Sequence, residues 1–410
     1  MSRPPSSPET EAAAPGRRAV LFSGLLCAGA GVAAGAAGAA AAAGGGTPPP
    51  TDRRLEAARA VARPFRGPHQ AGILEPPPPH AAFVALDLVP GADRDAVRRL
   101  LAVWTDDVER LMAGRAPLTD LEPELAAVPA SLTVTVAVGP RVVAAAGAEA
   151  PAWLAPLPAF PAIDRLEERW SGGDLLLQVC ADSPTTVAHA HRRLVTAAAG
   201  LATTRWVQRG FREPFEGPGV PMRNLFGQVD GTVQPDVAGT DAHLLWAGGE
   251  APAWLRGGSS VVVRRIAMGL DAWDRVDRAS RENAIGRRLD TGAPVTGGGV
   301  HTAPDLEATD ELGFHVVDDG AHLRRAHAGA PHERFLRRPY SYDDGSGGGA
   351  GTGLVFVAYQ ADPLRQYVPV QARLAELDLL NLWTTPVGSA LFAVLPGARD
   401  GEILGEALVA

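Results

Sequence analysis

Two distant stretches of the chain repeat one short pattern, and that repeat limits the fold more than any other feature. Residues 177–184, Leu177-Gln178-Val179-Cys180-Ala181-Asp182-Ser183-Pro184, run from an apolar strand through an aspartate to a proline that opens a helix. Residues 357–363, Val357-Ala358-Tyr359-Gln360-Ala361-Asp362-Pro363, do the same. Proline suits the first helical position because the amide hydrogen it lacks would find no partner there. Around the first copy, residues 82–88, 132–138 and 203–207 read as strands, and residues 184–199 as a helix. Residues 93–112 place apolar side chains at helical spacing behind Asp93. The order β-α-β-β-α-β predicts a ferredoxin-like unit, helices packed on an antiparallel sheet. Around the second copy, residues 259–268 and 353–359 are β-rich, a helix is expected over about 363–380, and residues 390–394 close the set. The expectation is an α+β chain of two ferredoxin-like halves, residues 80–215 and 216–410, and a length of 410 residues suits two domains.

Folded structure is expected to begin near His80. Residues 47–79 lack sustained periodicity and end in Pro76-Pro77-Pro78-Pro79, the composition of an extended lead-in. Ahead of them, Arg17-Arg18 stands directly before residues 19–43, an apolar stretch of Ala, Gly, Leu and Val. That order reads residues 1–46 as a signal region of the twin-arginine export route, whose machinery becomes a partner. It predicts an extracellular or cell-envelope location, with cleavage favoured over a retained anchor, so that the mature form has no stable membrane span. Leu26 stands before Cys27 where a lipoprotein would need a small residue.

The chemistry is narrowed first by what is missing. Lys+Arg total 38 against 46 Asp+Glu, a net charge of −8, and no lysine occurs. A chain so balanced lacks the basic excess with which nucleic-acid binders neutralise phosphates. With only Cys27 and Cys180, it assembles neither a disulfide framework nor a cysteine-rich metal site, and Cys180 fits a buried strand as a small hydrophobe. No Gly-x-Ser-x-Gly elbow and no dinucleotide-binding Gly-x-Gly-x-x-Gly between strand and helix is found. His322 and His327 lie five apart without the glutamate of a helical zinc protease. Two features remain. The segment Phe226-Gly227-Gln228-Val229-Asp230-Gly231-Thr232 sets a carboxylate among glycines, where a ligand can approach closely or a plain Asp-Gly turn can form. Residues 322–338 gather His322, His327 and His332 with Arg324-Arg325 and Arg337-Arg338, a set that a solvated face would also explain. Histidine, an isolated aspartate and arginines are compatible with a haem site, among other uses.

The chain resembles the dye-decolourising peroxidases, of the twin-arginine-exported, deferrochelatase-like actinobacterial type. The resemblance spans most of residues 80–400 and rests on several segments in order. These are Gly227-Gln228-Val229-Asp230-Gly231-Thr232, Ala321-His322-Leu323-Arg324, residues 336–345 (Leu336-Arg337-Arg338-Pro339-Tyr340-Ser341-Tyr342-Asp343-Asp344-Gly345), Gln360-Ala361-Asp362-Pro363 and residues 388–394. It implies two ferredoxin-like halves with haem b held mainly by the second. It also implies a peroxidase that reduces hydrogen peroxide while oxidising bulky organic or phenolic, dye-like donors. The alternative it carries is an exported haem-binding or haem-iron-releasing protein, and it leaves room for a homo-oligomer.

Carried over by position, His322 becomes the haem-iron ligand, Asp230 the distal acid–base group and Arg338 the distal arginine. Arg324, Gly231 and Thr232 become further haem contacts, and Glu376 or Asp378 the carboxylate behind His322. Pro339, Pro386 and Gln234 depart from the family's usual Gly, His and Asn. Tyr340, Tyr342 and Trp383 are expected mainly to pack the core, with electron relay as their other use.

Overall fold

Strand, cap and helix signals of the first half form in the predicted order in the computed structural model, which describes residues 60–213, 222–345 and 351–410, all within one unit, Pro50–Ala410. The expected signal region with Cys27, the expected boundary at 215/216 and the middle of the glycine loop after Gly345 lie outside the described residues. β1 (His80–Leu88) leads into α1 (Arg94–Met112), which starts where Asp93 accepts a hydrogen bond from the Ala96 amide. The helix buries Val97, Leu100, Leu101, Trp104, Val108 and Leu111, one stripe at helical spacing. β2 (Thr133–Val138), short α2 (Pro140–Ala145) and β3 (Leu175–Ala181) follow. Ser183 then caps α3 (Pro184–Ala197) through the Thr186 amide, before β4 (Ala202–Phe211). The antiparallel strands lie in the order β2-β3-β1-β4, and Trp104 and Leu194 of the two long helices share a core with one face of that sheet.

The second half begins with a two-stranded ribbon, β5 (Met222–Arg223) and β6 (Val229–Asp230), then α4 (Ala242–Leu245) and β7 (Ser259–Met268). Three short helices follow: α5 (Leu270–Trp273), α6 (Arg278–Ile285) and α7 (His322–Arg325). β8 (Leu336–Arg337), β9 (Tyr340–Asp343), β10 (Thr352–Gln360), α8 (Tyr367–Leu377) and β11 (Thr384–Val394) complete it. α8 is shorter than the expected 363–380. Asp362 and Gln366 close a side-chain turn ahead of it, Pro369 confines its start to the first turn, and Asp378 takes extended backbone at its end.

The pairs β9-β10-β7-β11 form a second antiparallel sheet, and two narrow seams join it to the first. β11 meets β2 at Ala393↔Val138 and Val394↔Ala137, while β4 meets β9 at Phe211↔Ser341. Eight strands thereby close into a ring around buried Phe83, Trp206, Tyr340, Tyr342, Tyr359 and Phe392.

The lead-in is not merely extended chain; ordered packing starts well before His80. Phe65 and Ile73 are buried, and the His69 ring stacks on Trp246 with centroids 3.6 Å apart. Gln70 reaches into the β2–β11 seam: its Nε2 donates to the Val136 and Leu395 carbonyls at 2.7 and 2.8 Å, and its Oε1 accepts from the Val136 amide at 2.8 Å. No proline-rich composition signals such a contact, because it is made by one polar side chain replacing missing ladder bonds.

Candidate active site

His322 opens α7, directly after the buried Ala321. The helix is held against the end of α6, where Gly286 adopts φ +83°; a Cβ there would come within 3.1 Å of Leu323 Cβ and 3.2 Å of Val317 Cγ1. Glycine thus permits both the left-handed turn and the close approach that seats α7.

The imidazole is oriented from behind. Its Nδ1 lies 2.6 Å from Asp378 Oδ2, and Asp378 Oδ1 accepts from the Leu380 amide at 2.9 Å. A carboxylate only accepts, so Nδ1 carries the proton and, in the neutral ring, the lone pair is on Nε2. Of its side-chain surface 35% is open, against 5% for Asp378, so the ring is reachable from outside while its carboxylate partner is not. Burial alone would push the imidazolium pKa down; the charge and hydrogen bond of Asp378 overcome this, and the net shift is upward. Arg337 and Asp230 also act on it through space, the first opposing and the second favouring its protonation. Of the two carboxylates expected behind His322, Asp378 takes that place, while Glu376 pairs with Arg325 at the surface.

Asp230 ends β6 and precedes Gly231 at φ +81°. Its Oδ1 lies 3.7 Å from Arg337 Nη1. Arg337 is knitted to the same segment: its amide donates to Gln234 Oε1, Gln234 Nε2 donates back to its carbonyl, and its Nη2 donates to the Val233 carbonyl. Gln234 therefore performs a positioning task even as it departs from the family's asparagine.

Arg338, expected as the distal arginine, turns the other way. Successive residues of a strand point to opposite faces. Leu336 packs against the barrel interior, Arg337 faces Asp230, and Arg338 is again inside, 3% exposed, with Nη1 donating to the Glu75 carbonyl. Its Nε and Nη2 find no nitrogen or oxygen partner among the described residues, and the Cys180 thiol and Tyr340 lie beside it. Arg337 is thus the arginine in ion-pair range of Asp230, while Arg212 lies within electrostatic reach of both Asp230 and Arg338. Arg324 likewise leaves the site: its guanidinium donates to the Val317 and Leu306 carbonyls and anchors that loop. Thr232 stays beside Asp230 and Gly231, its carbonyl accepting from His301 Nδ1 at 3.1 Å. His327 and His332 are exposed.

One further arginine belongs here that the sequence did not single out. Arg287, one residue beyond Gly286, is buried; burial and the Arg337 charge both push its pKa down. Its only sequence signal is its place after a helix-ending glycine. A separate groove of about 540 Å³, lined by His191, Arg209, Phe211 and Asp344 among others, contains none of these residues. Tyr340 and Tyr342 are buried in the barrel, as core packing predicted, and Trp383 is half-buried.

A histidine fixed by a carboxylate, within electrostatic reach of an acid and a guanidinium, on paired α+β halves, is an arrangement that suits a peroxidase of the haem class. The chain belongs to the Dyp-type peroxidase family: residues 70–212 match "Dyp-type peroxidase, N-terminal" and residues 221–399 match "Dyp-type peroxidase, C-terminal". It is 40% identical over 386 residues to the "Dye-decolorizing peroxidase" of Thermobifida fusca, covering 87% of each chain. It is 33% identical to the "Deferrochelatase" of Escherichia coli O157:H7, covering 86% of this chain and 88% of the relative. Among solved structures, the DyP-type peroxidase of Cellulomonas bogoriensis is 55% identical with TM-score 0.83, covering 86% and 99% of the two chains. The oxyferrous/water mixed complex of DtpA from Streptomyces lividans is 40% identical with TM-score 0.82, covering 87% and 100%.

Proposed function

We propose that this peroxidase binds haem b through His322 and reduces hydrogen peroxide while oxidising bulky organic or phenolic, dye-like donors. The observation that carries this reading is the His322 ring, tied to Asp378 at 2.6 Å, partly open, and within electrostatic reach of the Asp230–Arg337 pair. A neutral imidazole that donates its second nitrogen to a carboxylate is a basic, pre-aimed iron ligand. Haem b carries two carboxylates, and the buried positive charge of Arg287 suits them. When bound, haem iron supplies the electrons that reduce the peroxide O–O bond.

The side chains handle protons and charge. Asp230 takes a proton from one oxygen of hydrogen peroxide on Oδ2 and returns it to the departing oxygen, which leaves as water. Arg337 stabilises the negative charge on that departing oxygen and holds Asp230 in reach through its contacts with residues 230–234. Absorption spectra of the haem-loaded protein before and after one equivalent of peroxide test the assignment. H322A abolishes the spectrum of bound haem, and D230A slows the peroxide response at least a hundredfold. A D230A protein as fast as wild type overturns the role of Asp230. Release of iron with the porphyrin left intact would instead place the chain with its deferrochelatase relatives.

The Arg17-Arg18 leader supports export by the twin-arginine route. Residues 1–46 fused to a folded reporter should carry it out of the cytoplasm, and R17K/R18K should stop it.

A further inference from the structure

Asp230 sits on a ribbon too small to hold its own shape. β5 and β6 pair only at Met222↔Asp230 and Arg223↔Val229, and a two-stranded hairpin alone is marginal in water. Its turn is fixed from within. Asn224 Oδ1 accepts from the Phe226 and Gln228 amides at 3.0 and 3.3 Å, and the buried Phe226 ring packs on Trp273 with centroids 4.5 Å apart. The strands need support from outside, and Arg223 supplies it. Its Nη1 donates to the Gly227 carbonyl at 2.9 Å within the ribbon and to the Leu289 carbonyl at 2.6 Å beyond it, and its Nη2 donates to the Asp290 carbonyl at 2.6 Å.

The segment that receives Arg223 is itself held. The Leu289 amide donates to Glu282 Oε1 at 3.0 Å, and that buried carboxylate also accepts from Arg278 and Arg288 at 3.0 and 2.9 Å. Gly292 brings the two segments into contact. A Cβ at Gly292, whose φ is +70°, would lie 2.8 Å from Val229 Cβ, so a larger residue would push away the neighbour of Asp230. The Gly292 carbonyl accepts from Arg287 Nη1 at 2.7 Å, which ties the ribbon to the arginine suited to the haem carboxylates.

We propose that Arg223 is a positioning residue of the peroxide step: it clamps the ribbon to residues 287–292 and thereby sets where the Asp230 carboxylate stands. This rests on the peroxidase reading above. Arg223 acts through the backbone, since all three of its bonds end on carbonyls and none on the Asp230 carboxylate. A guanidinium suits the task because its donors lie in one rigid fork and serve two segments at once, whereas an ammonium is a single point on a flexible stem. The side chain is exposed, so its removal opens no cavity in the core. What its removal changes is reach, and a reacting group misplaced by ~1 Å costs about 10²-fold in rate.

The test uses haem-loaded full-length protein and follows the absorbance change on adding one equivalent of peroxide. R223M should slow that change about tenfold or more while the haem spectrum stays that of wild type. R223K should recover part of the rate, since its ammonium still reaches one of the carbonyls. Because Arg223 acts through Asp230, the two effects should not add: R223M placed in a D230N protein should slow it no further. In the apoprotein, amide hydrogen exchange at residues 224–230 should quicken in R223M, a readout independent of the reaction. An R223M protein as fast as wild type overturns the positioning role alone. Further slowing of D230N by R223M overturns it too, because Arg223 would then serve the site by a route other than Asp230, and so does unchanged exchange, because the ribbon would then hold without the clamp. A wild-type protein without any spectral response to peroxide overturns the peroxidase reading and the positioning role with it.

Discussion

His322 and Asp378 form a pair whose consequences with pH run in two directions. The raised imidazolium pKa means the folded apoprotein gains stability from this pair below the ordinary value of 6.5, and that gain is lost as pH rises through the higher folded value. Haem affinity runs the opposite way, because iron needs the neutral ring: it weakens as pH falls through the same raised value. D378N leaves burial without its counterweight, so the midpoint of haem binding, followed by absorbance titration, should move to lower pH. Above that midpoint the affinity should fall about 10–100-fold, since the ring loses its aim and basicity. The two adjacent arginines should separate as sharply. R337L should slow the peroxide response by about 10²-fold or more, the usual effect of losing a preorganised donor. R338M should leave that response within tenfold and leave stability unchanged or raised, because it removes a buried charge held by the Glu75 carbonyl and the Cys180 thiol and, among the described residues, by no carboxylate. The sequence displays Arg337-Arg338 as a pair but not which of them faces the site. That depends on strand register, set by the pairing of Leu336 and Arg337 with Tyr359 and Ala358 of β10.

Among the elements, the short helices carry the chemistry and the long ones carry the scaffold. α1 and α3 were legible because each has a capping side chain and a long apolar stripe, Asp93 with Trp104 and Ser183 with Leu194. α7 has four residues and no such stripe, so His322 was found by its motif and its helix only by the packing of α6 against it. G286A tests that dependence. Forcing alanine to φ +83° costs about 1–3 kcal/mol, and its Cβ would press on Leu323, the residue after His322, at 3.1 Å. Thermal unfolding should show the lost stability. Haem affinity should fall as well, because displacement of α7 moves the imidazole away from Asp378. A variant destabilised to this degree with unaltered haem affinity would show that α7 holds its place without α6.

At the scale of the whole molecule the two halves, each readable from its own strand order, close into one ring through seams that no periodicity reveals. Two register pairs join β11 to β2 and one joins β4 to β9, too few to align the halves by ladder bonds alone. The lead-in strengthens the first seam from outside the repeated pattern. Arg66 binds Glu109 and the carbonyls of Arg399 and Glu402, Gln70 bridges Val136 and Leu395, and Gln178 inside the barrel donates to the Gly72 carbonyl. The same strap ends at Glu75, whose carbonyl receives Arg338, the residue after Arg337, so closure of the ring and placement of the site arginine share one segment. Q70A should therefore act beyond its own position. It unpairs the Leu395 carbonyl and the Val136 amide and leaves the Val136 carbonyl only the Leu395 amide at 3.4 Å, and with an unpaired buried group costing about 1–3 kcal/mol the loss should be about 2 kcal/mol or more in chemical denaturation. The haem spectrum of Q70A at saturation should stay that of wild type. Q70E keeps an acceptor for the Val136 amide but sets a buried carboxylate against the Val136 and Leu395 carbonyls, and should be at least as destabilised as Q70A at neutral pH. Equal stability of all three proteins would mean that the seam closes without the strap.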